Sequence, residues 1–218
     1  MIARAIAIAL VSLGAAGCYW SSPPTNPYPH EPFDVARLPE LTEPRLAPLR
    51  SSRVIVYGRF QSVASQPIGG LYDEREYSLS PLYRTYAFPD VGLELFEQSC
   101  DALRATGLDV RKDYSVADTR LLEPRLRALA PVTVSTVLLS VQHDQIRTEE
   151  GRDVEAARLV ARVTVRGPAM HERYRKDIRV EGRRPSNPDA DVLGALGRSL
   201  GAALVADADF LRAVEATR

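Results

Sequence analysis

The amino-acid sequence predicts an α+β fold: a single antiparallel sheet of about four to six strands with two main helices packed on one face. Three observations carry this prediction. Residues 132–145 form a long run rich in β-branched residues, which is typical of a strand. Residues 156–166 and 171–181 alternate in polarity on either side of a Gly-Pro turn, as the arms of a hairpin do. Apolar residues recur at helical spacing in residues 90–106 and again near the C-terminus.

Length and composition favour one folded domain and exclude several classes of protein. The chain has 218 residues, of which 45% are hydrophobic and 26% charged, close to the averages of soluble globular proteins. Its 28 basic residues balance 28 acidic residues, whereas domains that bind nucleic acid by neutralising phosphates usually carry a clear basic excess. These values argue against disorder, a polytopic membrane protein and a nucleic-acid-binding protein.

In the first half, local signals predict a strand, an extended segment, a helix, a short strand and a short helix. These elements cover residues 53–60, 77–88, 89–106, 108–110 and 119–130, with a turn at Gly69-Gly70. The first helix has an apolar stripe, and Gly107 ends it. The stripe comprises Leu93, Phe96, Cys100, Leu103 and Gly107. We therefore predict Cys100 to be a buried core residue rather than a reactive thiol.

The second half predicts three consecutive strands and one final helix. A polar loop over residues 147–153 separates the first of these strands from the hairpin. Ser186-Asn187-Pro188-Asp189 predicts a helix start, because a capping residue precedes a proline at the first helical position. The helix is expected to run to about Thr217. Its predicted buried face comprises Val192, Leu193, Leu196, Leu200, Leu204 and Leu211.

The N-terminus has the parts of a secretory signal peptide over residues 1–17. Arg4 precedes a short apolar run, and small residues at positions 15–17 stand before Cys18. This ending resembles the lipobox of bacterial lipoproteins, although Ala15 occupies the position that is usually leucine. The resemblance implies lipidation of Cys18, and several acyl chains would anchor the protein stably to a membrane. Ordinary cleavage to a soluble periplasmic protein is the alternative, and the apolar run is short for a transmembrane helix.

Residues 18–52 are predicted to form a proline-rich tether between the lipidated cysteine and a periplasmic domain over residues 53–218. Proline fixes φ and disfavours helix at the preceding residue, so the tether should be extended and span up to roughly 100 Å. Either it holds the domain clear of the membrane or it packs along the domain. The eight prolines of this segment are Pro23, Pro24, Pro27, Pro29, Pro32, Pro39, Pro44 and Pro48.

No residue pattern predicts an enzyme, a cofactor site or a metal site. Gly197-Arg198-Ser199-Leu200-Gly201 matches the GxSxG nucleophile elbow, but it lies inside a predicted helix and no histidine follows it. The acidic residues around the 147–153 loop lack the alternation of a calcium loop and are expected to be solvated. The histidines, His30, His143 and His171, show no metal-ligand spacing.

Arginines on the predicted hairpin carry the one hypothesis for a binding site. A four-residue loop at Gly167–Met170 would place Arg166 opposite His171 and gather six arginines on one face. They are Arg158, Arg162, Arg166, Arg173, Arg175 and Arg179. In this register Arg158 would lie opposite Arg179 and Arg162 opposite Arg175, and such like-charge pairs would be unfavourable without an intervening anion. An anionic lipid headgroup or an acidic protein surface would satisfy them; the alternative is a solvated face neutralised by Asp177, Glu155 and Glu181.

The order of these segments weakly resembles small envelope lipoproteins of the YajG type, and also auxiliary lipoproteins of ABC-type lipid transporters and LptE-like lipoproteins. The resemblance rests on Ala105-Thr106-Gly107-Leu108, Tyr174-Arg175-Lys176, Glu181-Gly182 and Asp209-Phe210-Leu211. It implies a non-enzymatic domain, without catalytic residues, that binds or scaffolds another envelope component. An accessory subunit of a lipid or lipopolysaccharide transport complex is the first alternative, and a hydrolase of unknown type is the second. The expected location is the bacterial cell envelope, on the periplasmic side of the outer membrane.

Overall fold

The described part of the chain is an α+β domain with one sheet and its helices on one face, which confirms the predicted fold class. The computed structural model describes residues 31–49, 54–58, 60–62, 70–73, 88–114, 132–167, 171–186 and 191–215. The strands are β1 (Val54–Gly58), β2 (Gln61–Ser62), β3 (Gly70–Asp73), β4 (Asp109–Asp113), β5 (Val132–Arg147), β6 (Asp153–Arg166) and β7 (Glu172–Pro185). The helices are α1 (Phe88–Ala105), α2 (Val192–Ala206) and α3 (Ala208–Glu215). The predicted extended segment over residues 77–88 and the predicted short helix over residues 119–130 lie outside the described residues, except for Phe88.

The sheet has the strand order β4-β1-β5-β6-β7, with β2 and β3 also paired to β5. The three long strands β5, β6 and β7 are antiparallel neighbours, as the sequence predicts. β1 runs parallel to both β4 and β5, so the sheet is mixed rather than antiparallel throughout. The chain passes from β1 through α1 to β4, and a helical crossover of this kind returns the chain in the same direction.

The single final helix predicted from the sequence is two helices, because the backbone leaves helical geometry at Asp207. The ψ angle of Asp207 is 107°, which is extended. Asp207 N donates to Leu204 O at the end of α2, and the Asp207 carboxylate accepts from the first amides of α3. The start also differs from the prediction. α2 begins at Val192 and is capped by Asp191, whose Oδ1 accepts from Gly194 N at 2.7 Å.

Helices α1 and α2 approach each other closely because two glycines face α1. A Cβ on Gly197 would lie 2.9 Å from Leu95 O, and a Cβ on Gly201 would lie 2.7 Å from Ala102 Cβ. Both distances are below ordinary van der Waals contact. The glycines of the GxSxG match therefore serve helix packing, and the match lies inside a helix, as the sequence analysis predicts.

The main core lies between the sheet and the helices. It combines the inward residues of β1, β5, β6 and β7 with the apolar stripes of the three helices. Cys100 is 0% exposed within this core, which confirms its prediction as a core residue. Burial raises the pKa of its thiol to about 12, so the nucleophilic thiolate is strongly disfavoured.

Residues 31–49, here called the strap, wrap round the sheet. On the sheet face away from the helices, Phe33, Val35 and Leu38 are buried against Ile146 and Ala156. These contacts form a second, smaller core. Of the two arrangements expected for the proline-rich segment, this part adopts the packed one.

The strap then crosses the edge of β7 and continues on the helix side. Leu41 N donates to Arg183 O and Arg183 N donates to Pro39 O, each at 2.9 Å. The Leu41 side chain joins the main core. Beyond this edge, Glu43 Oε1 lies 2.9 Å from Arg198 Nη2 on α2. The strap therefore joins both faces of the sheet around its β7 edge.

Candidate functional site

The register of the β6–β7 hairpin differs from the predicted one by two residues. Gly167 N donates to His171 O at 3.0 Å, and a β-bulge between Val165 and Arg166 shifts the pairing again. As a result Arg162 lies opposite Asp177 and Arg158 lies opposite Glu181. The predicted like-charge pairs, Arg158 with Arg179 and Arg162 with Arg175, are therefore wrong. A shift of two residues preserves the sheet face of a side chain but changes its neighbours.

Opposite charges face each other on the outer surface of the hairpin. Arg162 makes two hydrogen bonds to the Asp177 carboxylate, at 2.7 and 2.8 Å. Arg158 Nε donates to Glu181 Oε2 at 2.8 Å, and its guanidinium lies 4.6 Å from the centre of the Phe33 ring. The Arg162–Asp177 contact is geometrically strong, since two parallel bonds fix an arginine–carboxylate pair. Together the two contacts neutralise the middle of the predicted arginine face.

The carboxylate of Glu181 binds two of the arginines. Burial alone would raise its pKa, but hydrogen bonds from Arg158 and Arg179 outweigh burial and lower the pKa. Arg166 donates to Ser135 Oγ at 2.9 Å. Of the three carboxylates expected to neutralise this face, Asp177 and Glu181 do so, whereas Glu155 contacts His143 Nε2 at 3.0 Å instead.

The structure places the two remaining arginines, Arg173 and Arg175, beside a cleft that the sequence did not predict. The cleft lies between the start of β7 and α3 and has a volume of about 590 Å³. Arg173 Nε donates to His171 Nε2 at 3.2 Å and its Nη1 lies 3.5 Å from Ala213 O. The lining residues are His171, Arg173, Tyr174, Arg175, Lys176, Asp209, Arg212 and Ala213. Four cationic side chains therefore surround this cleft with one carboxylate.

Asp207 holds α3 in place beside β7 and so forms the cleft. Its carboxylate accepts from Lys176 Nζ at 2.8 Å and from Tyr174 Oη at 3.0 Å. It also accepts from the backbone amide of Asp209 at 2.9 Å, as the N-cap of α3. The Tyr174 ring packs edge-to-face on Phe210, with centroids 5.7 Å apart. One carboxylate thus joins the end of α2, the start of α3 and the edge strand.

We expect Asp207→Ala to lower the free energy of unfolding by about 1–2 kcal/mol at neutral pH, because it removes the N-cap of α3. The hydrogen bond from Lys176, together with the other donors, lowers the pKa of Asp207 to about 2. A carboxyl with a lowered pKa stabilises the fold above the pKa it has in the unfolded chain and loses this effect as the pH falls. The difference between parent and variant should therefore narrow as the pH falls from about 4 towards 2.

Urea unfolding at a series of pH values measures this difference. Asp209→Ala is the control, because Asp209 is exposed and pairs with Arg212 one turn along the same helix. It should change stability by less than about 0.5 kcal/mol. A difference for Asp207→Ala that stays constant down to pH 2 would contradict the role assigned to its charge.

The other residues that sequence analysis singled out do not converge on a site. Ser199 lies within α2, His30 lies outside the described residues, and His143 faces Glu155. In the acidic loop, Glu150 pairs with Arg152 and Asp153 with Arg147. Within the described ranges, no three metal-ligating side chains cluster. No helix in the described part of the chain is long and apolar enough to span a bilayer. Cys18 lies outside the described residues.

Sequence reasoning missed Lys176 and Arg212 as members of the site. Lys176 directly follows Arg175, but its side chain lies on the helix side of the sheet and binds Asp207 beside α3, whereas Arg175 reaches the cleft from the outer face of the edge strand. Arg212 lies in a segment that the sequence predicts to continue the final helix, so no separate helix beside β7 is expected there. The Asp207-Ala208-Asp209 sequence is the available signal, since aspartate favours helix starts.

Comparison with known proteins finds solved structures of low similarity only. No protein-family model and no curated protein matches the chain. A Xanthomonas campestris protein described by the family DUF330 is 10% identical, with a TM-score of 0.42, over 72% of this chain and 85% of that one. The PelC dodecamer from Paraburkholderia phytofirmans gives 17% identity and a TM-score of 0.33, over 75% and 92%. A hypothetical Chlamydia trachomatis protein is 12% identical, with a TM-score of 0.33, over 71% of this chain and 96% of that one. None of these similarities assigns a function.

Proposed function

We propose that the chain is a lipid-anchored, non-enzymatic protein of the bacterial envelope, whose α+β domain binds or scaffolds another envelope component. The strap is the observation that carries this proposal. It brings the segment that follows Cys18 onto the domain at Glu31, where Gln142 Nε2 donates to Glu31 O at 2.9 Å. A lipid anchor at Cys18 would thus be connected to the sheet through the strap, with only a short stretch of chain between them.

The strap also shortens the reach of the anchor. If all of residues 18–52 were extended, the domain could stand roughly 100 Å from the membrane. With the strap in place, only the chain between Cys18 and Glu31 is available, and it spans at most about 45 Å. The domain would therefore act near the membrane surface, which suits a scaffold for envelope components.

The experiment compares the full-length native protein with Cys18→Ser by intact mass, membrane fractionation and co-purification in mild detergent. We expect the native protein to carry lipid mass on Cys18, to sediment with membranes and to retain a defined component. Cys18→Ser should carry no lipid mass and should be found in the soluble fraction. A native protein that is cleaved, soluble and free of lipid mass would contradict the proposal.

A further inference from the structure

We propose that the cleft between β7 and α3 binds a phosphate group of an envelope component. The inference rests on the proposed function, which places the domain among envelope components. It adds that such a component binds the domain at this cleft. The four cations of the cleft come from two elements, because Arg173, Arg175 and Lys176 belong to β7 whereas Arg212 belongs to α3. They converge because Asp207 fixes α3 against the strand.

The cleft differs from the outer hairpin surface in how firmly its arginines are held. Arg162 and Arg158 make short hydrogen bonds to carboxylates across the strands. Arg212 instead pairs with Asp209 on its own helix turn, and the two side chains are 78% and 63% exposed. Arg175 lies 4.0 Å from Glu172, also on its own strand. Exposed local pairs contribute little, so both guanidinium groups can turn towards a ligand at low cost.

The charge of the cleft fits an oxyanion. The lining carries a net of three positive charges when His171 is neutral. Two carboxylates at the rim, Asp207 and Glu172, reduce this excess to one. Asp207 and Lys176 bind each other, so the remaining excess comes from Arg173, Arg175 and Arg212 set against Asp209 and Glu172. Positive charge is therefore only partly compensated inside the cleft.

Phosphate is the oxyanion that this set of donors suits best. A phosphate monoester presents three strong acceptor oxygens and carries up to about two negative charges. Guanidinium groups bind such oxygens through paired N–H donors. Arg173 on the β7 wall and Arg212 on the α3 wall can reach different oxygens of one tetrahedral group, and Arg175 lines the same cleft from the outer face of the edge strand. A volume of about 590 Å³ also leaves room for the group that the phosphate substitutes.

The test uses the full chain with Cys18→Ser, so that binding does not depend on the lipid anchor. The cleft variant adds Arg175→Gln and Arg212→Gln. The control variant adds Arg37→Gln and Arg152→Gln, which remove the same charge from two exposed arginines that also pair with local carboxylates. Unfolding midpoints measured in urea establish that all three proteins are folded.

Two probes separate the sources of the phosphate. Inorganic phosphate is titrated by calorimetry. Vesicles of pure phosphatidylcholine are compared by co-sedimentation with vesicles of equimolar phosphatidylcholine and phosphatidylglycerol. We expect the parent to bind phosphate or the anionic vesicles, the control variant to bind within about twofold of the parent, and the cleft variant to bind roughly tenfold or more weakly.

Each outcome decides the inference. Cleft-dependent binding of inorganic phosphate without vesicle binding supports a soluble phosphorylated component. Cleft-dependent binding of anionic vesicles, with competition by phosphate, supports a lipid headgroup. The inference is overturned if neither probe binds, or if the cleft and control variants lose affinity equally. Lipid mass on Cys18 tests the proposed function separately, because it does not involve the cleft.

Discussion

Replacing Gly201 by valine is expected to lower the free energy of unfolding by about 3 kcal/mol, among the largest effects of a single substitution in this domain. A Cβ at this position would lie 2.7 Å from Ala102 Cβ and 2.8 Å from Ser99 O. The second contact is with helix backbone, which cannot rotate away as a flexible side chain can. The α1–α2 pair must therefore separate, and the core residues between the helices and the sheet lose contact.

Urea unfolding monitored by circular dichroism measures this change, with Ala206→Val as the control. Ala206 is exposed on the same helix, so its replacement by valine tests only the lower helix propensity of a β-branched residue. That effect is about 0.5 kcal/mol. Equal effects of the two valines would contradict the close helix contact. The outcome also bears on Ser199, because a packing role for Gly201 accounts for the GxSxG match without any chemistry.

Replacing Gly182 by valine is expected to release the strap from β7. A Cβ on Gly182 would lie 2.6 Å from Leu41 Cγ and 2.8 Å from Pro39 O. Valine is itself favoured in strands, so a loss of stability would arise from the strap and not from the strand. We expect the free energy of unfolding to fall by about 2–3 kcal/mol, because Leu41 leaves the core.

Trypsin provides a direct measure of strap release, since the strap contains Arg37 and Arg45. Cleavage after these arginines should accelerate roughly tenfold or more in Gly182→Val, because the local opening that exposes them becomes easier. Arg175→Val is the control: it adds the same side chain to an exposed position of the same strand, and Arg175 lies 4.0 Å from Glu172 in a local pair on that strand. Unchanged cleavage in Gly182→Val would show that Leu41 and Pro39 do not hold the strap on β7.

Local patterns in the sequence predict the long elements well. The β-branched run at residues 132–145 becomes β5, and the stripe around Cys100 becomes the buried face of α1. These elements are recognisable because the periodicity of one short segment determines which residues face the core. The order of these elements predicts the α+β class. The parallel pairing of β1 with β4 and β5 does not follow from this order, because it depends on how the connection through α1 crosses the sheet.

The remaining features depend on contacts between distant segments. The bulge between Val165 and Arg166 shifts the hairpin register without any turn residue to mark it. The apolar spacing of the final helix continues from Leu204 to Leu211, so periodicity does not show the break at Asp207, and only the aspartates at 207 and 209 mark it. The contact that fixes the break, between the Asp207 carboxylate and Lys176 of β7, joins segments that are distant in sequence. The sequence does not predict the cleft for the same reason, because the shape of the cleft depends on both the β6–β7 register and the helix break at Asp207.

The strap has a consequence for the order in which the chain folds. Its contacts are among the most distant in sequence: Glu31 meets Gln142 and Arg158, 111 and 127 residues away. Pairings of such separation slow folding, because a long loop must close before they form. We therefore expect the strap, which is synthesised before the sheet, to dock only after β7 and α2 have emerged and packed. Docking of the strap would then complete the domain. A chain that is truncated before β7 lacks the edge strand with which the strap pairs.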